Sequence, residues 1–347
     1  MSITRIAEAA NVSYATAWRI INNRNGGSPE AISAVRKAIS KLGYKPNTNG
    51  AGKRGRRAKI VDGIRTQNIA LLHLRQGTTL STAVLNRVHK ILAERNLNLI
   101  FAHTDGTEGL PPAVRSGNVD GILGYGQFPA EAITPKLREI PAVWMMSRAD
   151  DELDPWGDRI KPDHSRIGQL AADYLLGRGH QCLAYVNPDI DSPLYHQRYG
   201  AFRLATEARG CALAAFRNEF DPDIEQVSER LIDEWLASSP RPSGWFIPVD
   251  RVTLRVYRHL ERRGIEPGRD VEIVSCDNEK ELLSLMHPAP ASLDLNRQTI
   301  ARLAAERLLW RMKNGVSSPR VVTTVAPTLA ESASSLSSPS SSFAMER

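Results

Sequence analysis

The sequence contains few of the residues that support covalent, redox or metal chemistry. Cysteine occurs three times in 347 residues, at Cys182, Cys211 and Cys276, and no pair has the spacing of a metal site or a redox motif. An odd number of distant cysteines is typical of reduced, buried thiols rather than of a disulfide framework. We therefore expect no metal and no cofactor.

Long apolar runs and catalytic motifs are also missing. No apolar run approaches the roughly 18 residues that cross a bilayer. The first residues, MSITRIAEAANVS, lack the basic start and apolar centre of a secretion signal. The sequence has no GxGxxG loop, Walker loop, HExxH motif or nucleophile elbow. These absences predict a cytoplasmic protein that is not an enzyme and does not bind membranes.

The positive charge is concentrated at one end of the chain. Residues 1–67 hold 13 Lys and Arg against 3 acidic residues, a surplus of +10, whereas the remainder holds 32 basic and 35 acidic residues. No amphipathic apolar stripe accompanies this charge, as a membrane-surface helix would require. The asymmetry therefore indicates a nucleic acid as the partner of the N-terminal region.

Three short helices are predicted within the first 45 residues. Asn11 suits the tight turn between the first two helices, Ser13 can cap the second, and Ser28 followed by Pro29 begins the third. Apolar and small residues recur at helical spacing at Ile3, Ile6, Ala7 and Ala10, then at Thr16, Ala17, Ile20 and Ile21, and again at Ile32, Val35, Ile39 and Leu42. This arrangement predicts a helix-turn-helix head that binds double-stranded DNA.

Residues 6–22, IAEAANVSYATAWRIIN, resemble the N-terminal motif of LacI/GalR-type transcriptional regulators. The resemblance implies base contacts from Tyr14, Ala15 and Arg19, and phosphate contacts from Ser13, Thr16 and Asn22. Arg19 is the strongest candidate, because a guanidinium pairs bidentately with guanine. Two residues depart from the family pattern. Ala15 can read only a thymine methyl or nothing, and Trp18 replaces a small residue and is expected to pack against the first helix.

The basic linker departs from the family more strongly. A LacI/GalR-type regulator carries a hinge helix with a leucine here, whereas residues 48–59, TNGAGKRGRRAK, contain three glycines and no leucine. Three glycines cost about 3 kcal/mol in a helix relative to alanine. Arg54, Gly55 and Arg56 instead resemble the core of an AT-hook, which binds a narrow A·T minor groove. The alternative is a flexible linker that contacts phosphates only, and the sequence does not decide between them.

Beyond residue 67, β-rich runs alternate with amphipathic helices. Strands are predicted at residues 69–74, 97–103, 121–125, 142–146, 182–186, 213–216, 245–249, 272–276 and 320–325, and helices at residues 82–95, 167–178, 199–209, 224–237, 253–263 and 299–313. Such alternation predicts parallel sheets that bind ligands at the carboxyl ends of their strands. The fold class expected is an all-α three-helix head joined to an α/β two-lobed, periplasmic-binding-protein-like domain with two Rossmann-like parallel sheets.

We place the head at residues 1–46, the basic linker at 47–67, the two-lobed effector-binding and dimerisation domain at 68–331, and a disordered serine-rich tail at 332–347. The family resemblance extends more loosely over the two-lobed domain, and implies that Arg198 and Asp277 bind an effector in the cleft, with Arg148 and Asp250 as weaker candidates. A structural salt bridge is the alternative for Arg198 and Asp277. Trp144 or Trp245 could stack on a sugar face, and Asp163 is expected to cap a helix.

The predicted function is that of a sequence-specific transcriptional regulator, as the resemblance implies a repressor, that acts as a homodimer. Its partners would be an operator in double-stranded DNA and a small polar effector, a sugar or a sugar derivative. The alternative is an intracellular or exported sugar-binding protein without regulatory DNA binding. That alternative would not need the basic head, and an exported form would need a secretion signal.

Overall fold

A computed structural model describes residues 3–21, 27–43, 63–74, 81–104, 109–126, 137–146, 156–190, 192–218 and 220–331. The chain divides into two compact units, Met1–Lys59 and Ile60–Arg347. The Ser-rich segment 332–347 and most of the basic linker lie outside the described residues. Their predicted boundaries therefore stay predictions.

The first unit contains the three predicted helices, α1 (Ile3–Ala9), α2 (Tyr14–Ile21) and α3 (Pro29–Lys41). Its small core consists of Ile6, Ala7, Ala17, Val35 and Ala38, which come from all three helices. These residues belong to the predicted apolar stripes or lie one helical turn from them. Burying them is what holds such short helices together, because helices of this length are marginal alone in water.

Caps and turns in this unit follow the sequence prediction. Asn11 adopts a left-handed conformation with φ of 50° between α1 and α2. The Ser13 hydroxyl accepts a hydrogen bond from the Thr16 backbone N–H at 3.1 Å. Ser28 caps α3 through the Ala31 N–H at 3.3 Å, and Pro29 is the first helical residue. Each cap satisfies an amide that the helix leaves unpaired and contributes about 1 kcal/mol.

The first lobe of the second unit is built on a six-stranded parallel sheet. Its strands are β1 (Asn68–Leu74), β2 (Asn98–Thr104), β3 (Gly121–Gly126), β4 (Ala142–Met145), β5 (Asp158–Pro162) and β11 (Val322–Val325), in the spatial order β11-β5-β4-β3-β1-β2. Helices α4 (Thr82–Ala93) and α11 (Arg297–Asn314) cover one face, and the one-turn helix α5 (Pro112–Arg115) lies at the other. Pro111 and Pro112 interrupt the region between β2 and β3, and α5 begins at Pro112.

The second lobe repeats this plan with one antiparallel edge strand. Its strands are β6 (Cys182–Ile190), β7 (Ala212–Asn218), β8 (Gly244–Phe246), β9 (Glu272–Cys276), β10 (Ala291–Asp294) and β12 (Thr328–Ala330), in the order β12-β10-β9-β8-β6-β7. Its helices are α6 (His164–Gly177), α7 (Pro193–Glu207), α8 (Ile224–Ala237), α9 (Asp250–Arg262) and α10 (Lys280–Leu283). Among the strands that the structure describes, β12 alone pairs in the antiparallel direction. The predicted two-lobed α/β class is confirmed.

The chain passes between the lobes three times, after β5, after β10 and after β11. The crossing segments hydrogen-bond to one another. Asp163 N–H donates to the Val325 carbonyl at 3.0 Å, and the Asn296 side-chain amide donates to the Ala326 carbonyl at 2.8 Å. Met146 packs against the cores of both lobes. These contacts set the relative position of the two lobes at the crossing.

Every predicted strand overlaps an observed one, but β5, β10 and β12 were not predicted. Two of these strands have only three or four residues, too few to show a periodicity. The third, β5, has the sequence DRIKP, which contains three charged residues and yet is buried along its whole length. A search for apolar runs does not find a strand with so many charged residues. Charged residues can nevertheless be buried in a core when they are paired.

Asp158 shows how a charged residue is accommodated inside the first lobe. Its fully buried carboxylate accepts hydrogen bonds from Arg311 at 2.5 and 2.9 Å, from Arg307 at 2.5 Å and from the Val321 N–H at 2.8 Å. Burial alone would raise the pKa of Asp158, but these hydrogen bonds outweigh it and hold the pKa below its ordinary value. The cluster ties β5 to α11 and to the segment that enters β11.

In the described part of the chain, no helix is both long enough and apolar enough to cross a membrane.

Candidate DNA-binding face and effector cleft

Helix α2 presents two rows of side chains to solvent. Tyr14 and Trp18 form one row, with 55% and 39% of their surfaces exposed, and Ala15 and Arg19 form the other. The opposite side carries Ala17, which is buried in the core of the head. The predicted base-contacting residues therefore share one exposed helix face. Trp18 belongs to the same face, and its expected packing against α1 stays a prediction.

The predicted phosphate contacts lie at the start of this helix. The Ser13 and Thr16 hydroxyls are 2.8 Å apart, and Ser13 also caps α2. Amides and hydroxyls at the N-terminal turn of a helix suit an anion. Asn22 and the linker residues Arg54, Gly55 and Arg56 lie outside the described residues, so their contacts with DNA stay predictions.

The cleft candidates lie where parallel strands end. Arg198 is in the helix that follows β6, Asp250 begins the helix that follows β8, and Asp277 directly follows β9. His164 follows β5 of the first lobe, and Arg297 follows β10. Parallel strands place their carboxyl ends along one edge, which is where open α/β sheets bind ligands. Residues that are far apart in the sequence thus meet at the junction of the lobes.

Arg198 is held in place by groups on three sides. Its side chain is 2% exposed, its Nε donates to His164 Nδ1 at 3.3 Å, and one Nη donates to the Pro248 carbonyl. The other Nη lies 4.0 Å from Asp277 Oδ1. Gly168 permits this position, because a Cβ there would lie 2.1 Å from the Arg198 carbonyl oxygen. The guanidinium is therefore fixed before any ligand arrives.

Asp277 is turned into the site by an unusual backbone. Asp277 and Asn278 have φ values of 117° and 49°, conformations that non-glycine residues rarely adopt. Arg297 forms ion pairs with the carboxylates of this turn. Its guanidinium lies 3.4 Å from the Asp277 carboxylate and 3.3 Å from that of Glu279. Because Arg297 begins a first-lobe helix and both carboxylates belong to the second lobe, this contact joins the two lobes across the site.

Asp250 lies beneath the turn at residues 277–279. It is fully buried, and its oxygens accept hydrogen bonds from Ser275 at 2.5 Å, Ser292 at 2.8 Å and the Glu279 N–H at 2.7 Å. Burial and the nearby charge of Asp277 raise the pKa of Asp250 to about 7. The structure gives Asp250 a bracing role under the turn. Its direct contact with an effector stays a prediction, as does that of Arg148, which lies outside the described residues.

The expected stacking tryptophans do not line the cleft. Trp144 and Trp245 are both fully buried in the lobe cores, and Trp144 packs against Gly124, where a Cβ would overlap its ring. The expectation that either stacks on a sugar is wrong. No periodic pattern around either residue distinguishes a core tryptophan from a cleft tryptophan. Aromatic rings do gather at the carboxyl ends of β1, β2 and β3, where His73, Phe101, His103 and Tyr125 adjoin one another.

Two neighbours of the cleft become visible only in the structure. His164 accepts the Nε hydrogen bond of Arg198, a contact between residues 34 positions apart that no local sequence pattern indicates. Arg297 was not singled out, because only the fold brings it to Asp277. Asp163 behaves as predicted, and caps α6 through the Arg166 N–H at 2.9 Å. Among the described residues, no group of three or more His, Cys, Asp or Glu side chains is arranged to hold a metal ion.

Two family profiles match the chain. The profile described as "Bacterial regulatory proteins, lacI family" matches residues 2–47, and that of a "Periplasmic binding protein-like domain" matches residues 172–335. The first match covers the three-helix unit. The second covers the second lobe from within α6 onward, together with the C-terminal elements of the first.

Curated relatives are similar over nearly the full length. Catabolite control protein A of Priestia megaterium is 24% identical over 326 residues, which cover 90% of this chain and 93% of that protein. The HTH-type transcriptional regulator PtxS of Pseudomonas aeruginosa is 27% identical over 93% of this chain and 92% of its own length. The ribose operon repressor of Escherichia coli K12 is 23% identical over 88% and 92%.

Solved structures share the fold. The complex of the transcriptional regulator CelR with cellobiose has a TM-score of 0.62 at 21% identity, covering 95% of this chain and 98% of that chain. The Lac repressor dimer bound to operator and the anti-inducer ONPF has a TM-score of 0.62 at 17% identity, with the same coverage. At these identities the likeness shows the fold of the whole chain and not its ligands.

Proposed function

Because the chain belongs to the LacI family of bacterial regulatory proteins, we propose that it is a homodimeric DNA-binding transcriptional regulator, a repressor by default, whose operator affinity a small polar effector controls. The head binds the operator through α2, and the effector binds between the lobes. We further propose that the protein acts in the cytoplasm, where its DNA is. The curated relatives named above are regulators rather than enzymes, and we assign no catalytic step to this chain.

The observation that carries this proposal is that one chain contains both an exposed helix face suited to DNA and a cleft with ordered charged groups. The head presents Tyr14, Ala15 and Arg19 on one exposed face, as a recognition helix requires. The two-lobed unit fixes Arg198 and Asp277 at strand ends without giving either a close mutual salt bridge, since they are 4.0 Å apart. A solute-binding protein would account for the second site only.

The effector is proposed to be a sugar or a sugar derivative. A guanidinium donor and a carboxylate acceptor held side by side suit neighbouring hydroxyl groups, one of which accepts while the other donates. The named ligands of similar proteins support this class, since CelR binds cellobiose and another repressor is named for the ribose operon. The backbone passes between the lobes at three points, and these segments can act as a hinge that closes the cleft around such a ligand.

The test joins two measurements on the full-length protein. Thermal shift against pentoses, hexoses, disaccharides, sugar phosphates and nucleosides should identify a compound that raises the melting temperature, because a ligand that binds only the folded state stabilises it. Gel-shift titration against a duplex selected from a random pool should then show altered affinity in the presence of that compound. Selective, salt-sensitive DNA binding without any stabilising compound would leave a regulator that lacks effector control. No selective DNA binding would refute the proposal.

Arg19→Ala should remove sequence discrimination rather than DNA binding as such. Loss of a bidentate contact with guanine costs about 1–3 kcal/mol per half-site and relaxes the preference at that base pair. Lys37→Ala on the exposed side of α3 is the matched control, and should weaken binding to all sequences alike with a smaller salt slope. Quantitative gel shifts with single-base operator variants distinguish the two patterns. Equal loss on every variant for Arg19→Ala would contradict the assignment.

The linker prediction concerns Arg54 and Arg56. If they bind the minor groove as an AT-hook does, their joint change to Ala should weaken operators with A·T-rich centres by about tenfold and G·C-centred ones much less. The double change Lys45→Ala with Lys59→Ala removes the same charge and serves as the control. Fluorescence anisotropy on the two operator types checks this. Similar loss on both types would instead support a linker that contacts phosphates only.

A further inference from the structure

We propose that the exposed face of α2 reads thymine methyl groups, with Trp18 as a specificity-determining residue beside Arg19. This inference rests on the proposed DNA-binding function and names the chemistry that the recognition helix detects. It concerns a residue to which the family resemblance assigned no base contact.

The first step is the composition of that face. Helix α2 has the sequence YATAWRII, in which no residue is Asn, Gln, Asp or Glu. Amide side chains are the ones that pair bidentately with adenine, and carboxylates accept from cytosine. The exposed rows therefore contain one strong hydrogen-bonding reader, Arg19, and the Tyr14 hydroxyl. The other exposed groups are apolar.

The second step is the position of Trp18. It lies one helical turn after Tyr14, and beside the row formed by Ala15 and Arg19. On this helix the side chain buried in the core of the head is that of Ala17, and Trp18 stays partly exposed. An indole that is 39% exposed on a helix entering the major groove loses that surface to DNA on binding.

The third step is the chemistry of the groove. The C5 methyl of thymine is the apolar feature that the major groove offers, and it is recognised by apolar contact. Ala15 and the ring of Trp18 supply apolar surface next to a guanidinium that prefers guanine. We therefore expect each operator half-site to combine a guanine with at least one flanking thymine whose methyl contacts this surface.

The experiment uses the full-length protein and the duplex that it selects from a random pool. Each half-site thymine is replaced by deoxyuridine, which removes the methyl and keeps every hydrogen-bonding group. At one or more positions this should weaken binding about fourfold, the effect of leaving one methyl-sized group unburied. Deoxyuridine at flanking positions outside the half-sites should have no effect.

Two variants assign the effect to a residue. In Trp18→Ser the penalty for deoxyuridine should disappear at the position that Trp18 contacts, whereas in Trp310→Ser it should persist. Trp310 is the matched control, because it is similarly exposed at 42% but lies on α11 in the other unit. Trp18→Phe should retain part of the penalty. Thermal unfolding shows whether the head of Trp18→Ser is intact, and the deoxyuridine series on the unaltered protein stands independently of that variant.

The possible outcomes distinguish a failure of the thymine-methyl inference from a failure of the proposed DNA-binding function. A selected duplex that binds equally well with thymine or deoxyuridine at every half-site position refutes the inference and leaves the regulator intact. A penalty that persists unchanged in Trp18→Ser refutes the role of Trp18. Failure to select any duplex over random competitor refutes the proposed function itself.

Discussion

Arg198→Ala should abolish the response to effector while leaving operator binding close to that of the unaltered protein. The guanidinium is fixed by His164, the Pro248 carbonyl and the nearby Asp277, so it meets a ligand without reorganising. Hydrogen bonds to a charged group contribute roughly 1.5–3 kcal/mol each. Loss of two such bonds should lower effector affinity about a hundredfold or more, as measured by isothermal titration with the compound found by thermal shift.

The control for this prediction is Arg203→Ala on the same helix. Arg203 is an exposed residue that forms an ion pair with Glu207 one turn further on, and such pairs contribute little. It should leave effector binding and the effector-dependent change in operator affinity as they were. Arg198→Lys keeps the charge without the planar fork, and should recover only part of the binding. Full effector affinity in Arg198→Ala would remove this residue from the site.

Asp158→Asn should cost the second unit several kilocalories per mole of stability. The substitution leaves Arg307 and Arg311 facing a neutral amide in a buried position, and breaking a buried ion pair by removing one partner costs about 3–5 kcal/mol. For a domain of this size we expect the melting temperature to fall by roughly 10 °C. Differential scanning calorimetry or urea unfolding measures the change.

The pH dependence of this stabilisation follows from the pKa of Asp158. Because the folded pKa of Asp158 lies below the ordinary value, its contribution is complete above that ordinary value and is lost as pH falls through the lowered pKa. The stability gap between the unaltered protein and Asp158→Asn should be flat from pH 5 to pH 8 and shrink in stronger acid.

Asp233→Asn is the control, because its partner Arg263 and the carboxylate are both more open to solvent. It should cost at most about 1 kcal/mol. A loss of this small size in Asp158→Asn would mean that the buried cluster is not the anchor of the first lobe.

Local patterns were enough to predict the head and the class of the larger unit. The turn at Asn11, the caps at Ser13 and Ser28 and the apolar spacing around them involve residues within a few positions of one another. The resemblance directed attention to Arg198 and Asp277, which the fold brings within 4.0 Å of each other, while their role in binding an effector stays a prediction.

The rest depended on contacts that no local pattern contains. Arg297 reaches Asp277 only because the chain returns to the first lobe after β10. Strand β5 was not predicted because its burial depends on ion pairs between Asp158 and two arginines about 150 residues further along the chain. Trp144 and Trp245 were misplaced because an apolar aromatic residue in a strand fits both a core and a cleft, and only packing separates them.

The threefold passage of the backbone between the lobes means that neither lobe is a continuous peptide. The first lobe is assembled from the elements β1 to β5 together with α11 and β11, while β12 returns to the second lobe. A fragment cut at the bounds of the matched region, residues 172–335, would begin inside α6 and carry α11 without the sheet that covers its buried face. A single continuous fragment therefore cannot encode either lobe, and exchanging a lobe between relatives requires more than one junction. A protease that cleaves one of the three connecting segments leaves the lobes joined by the other two.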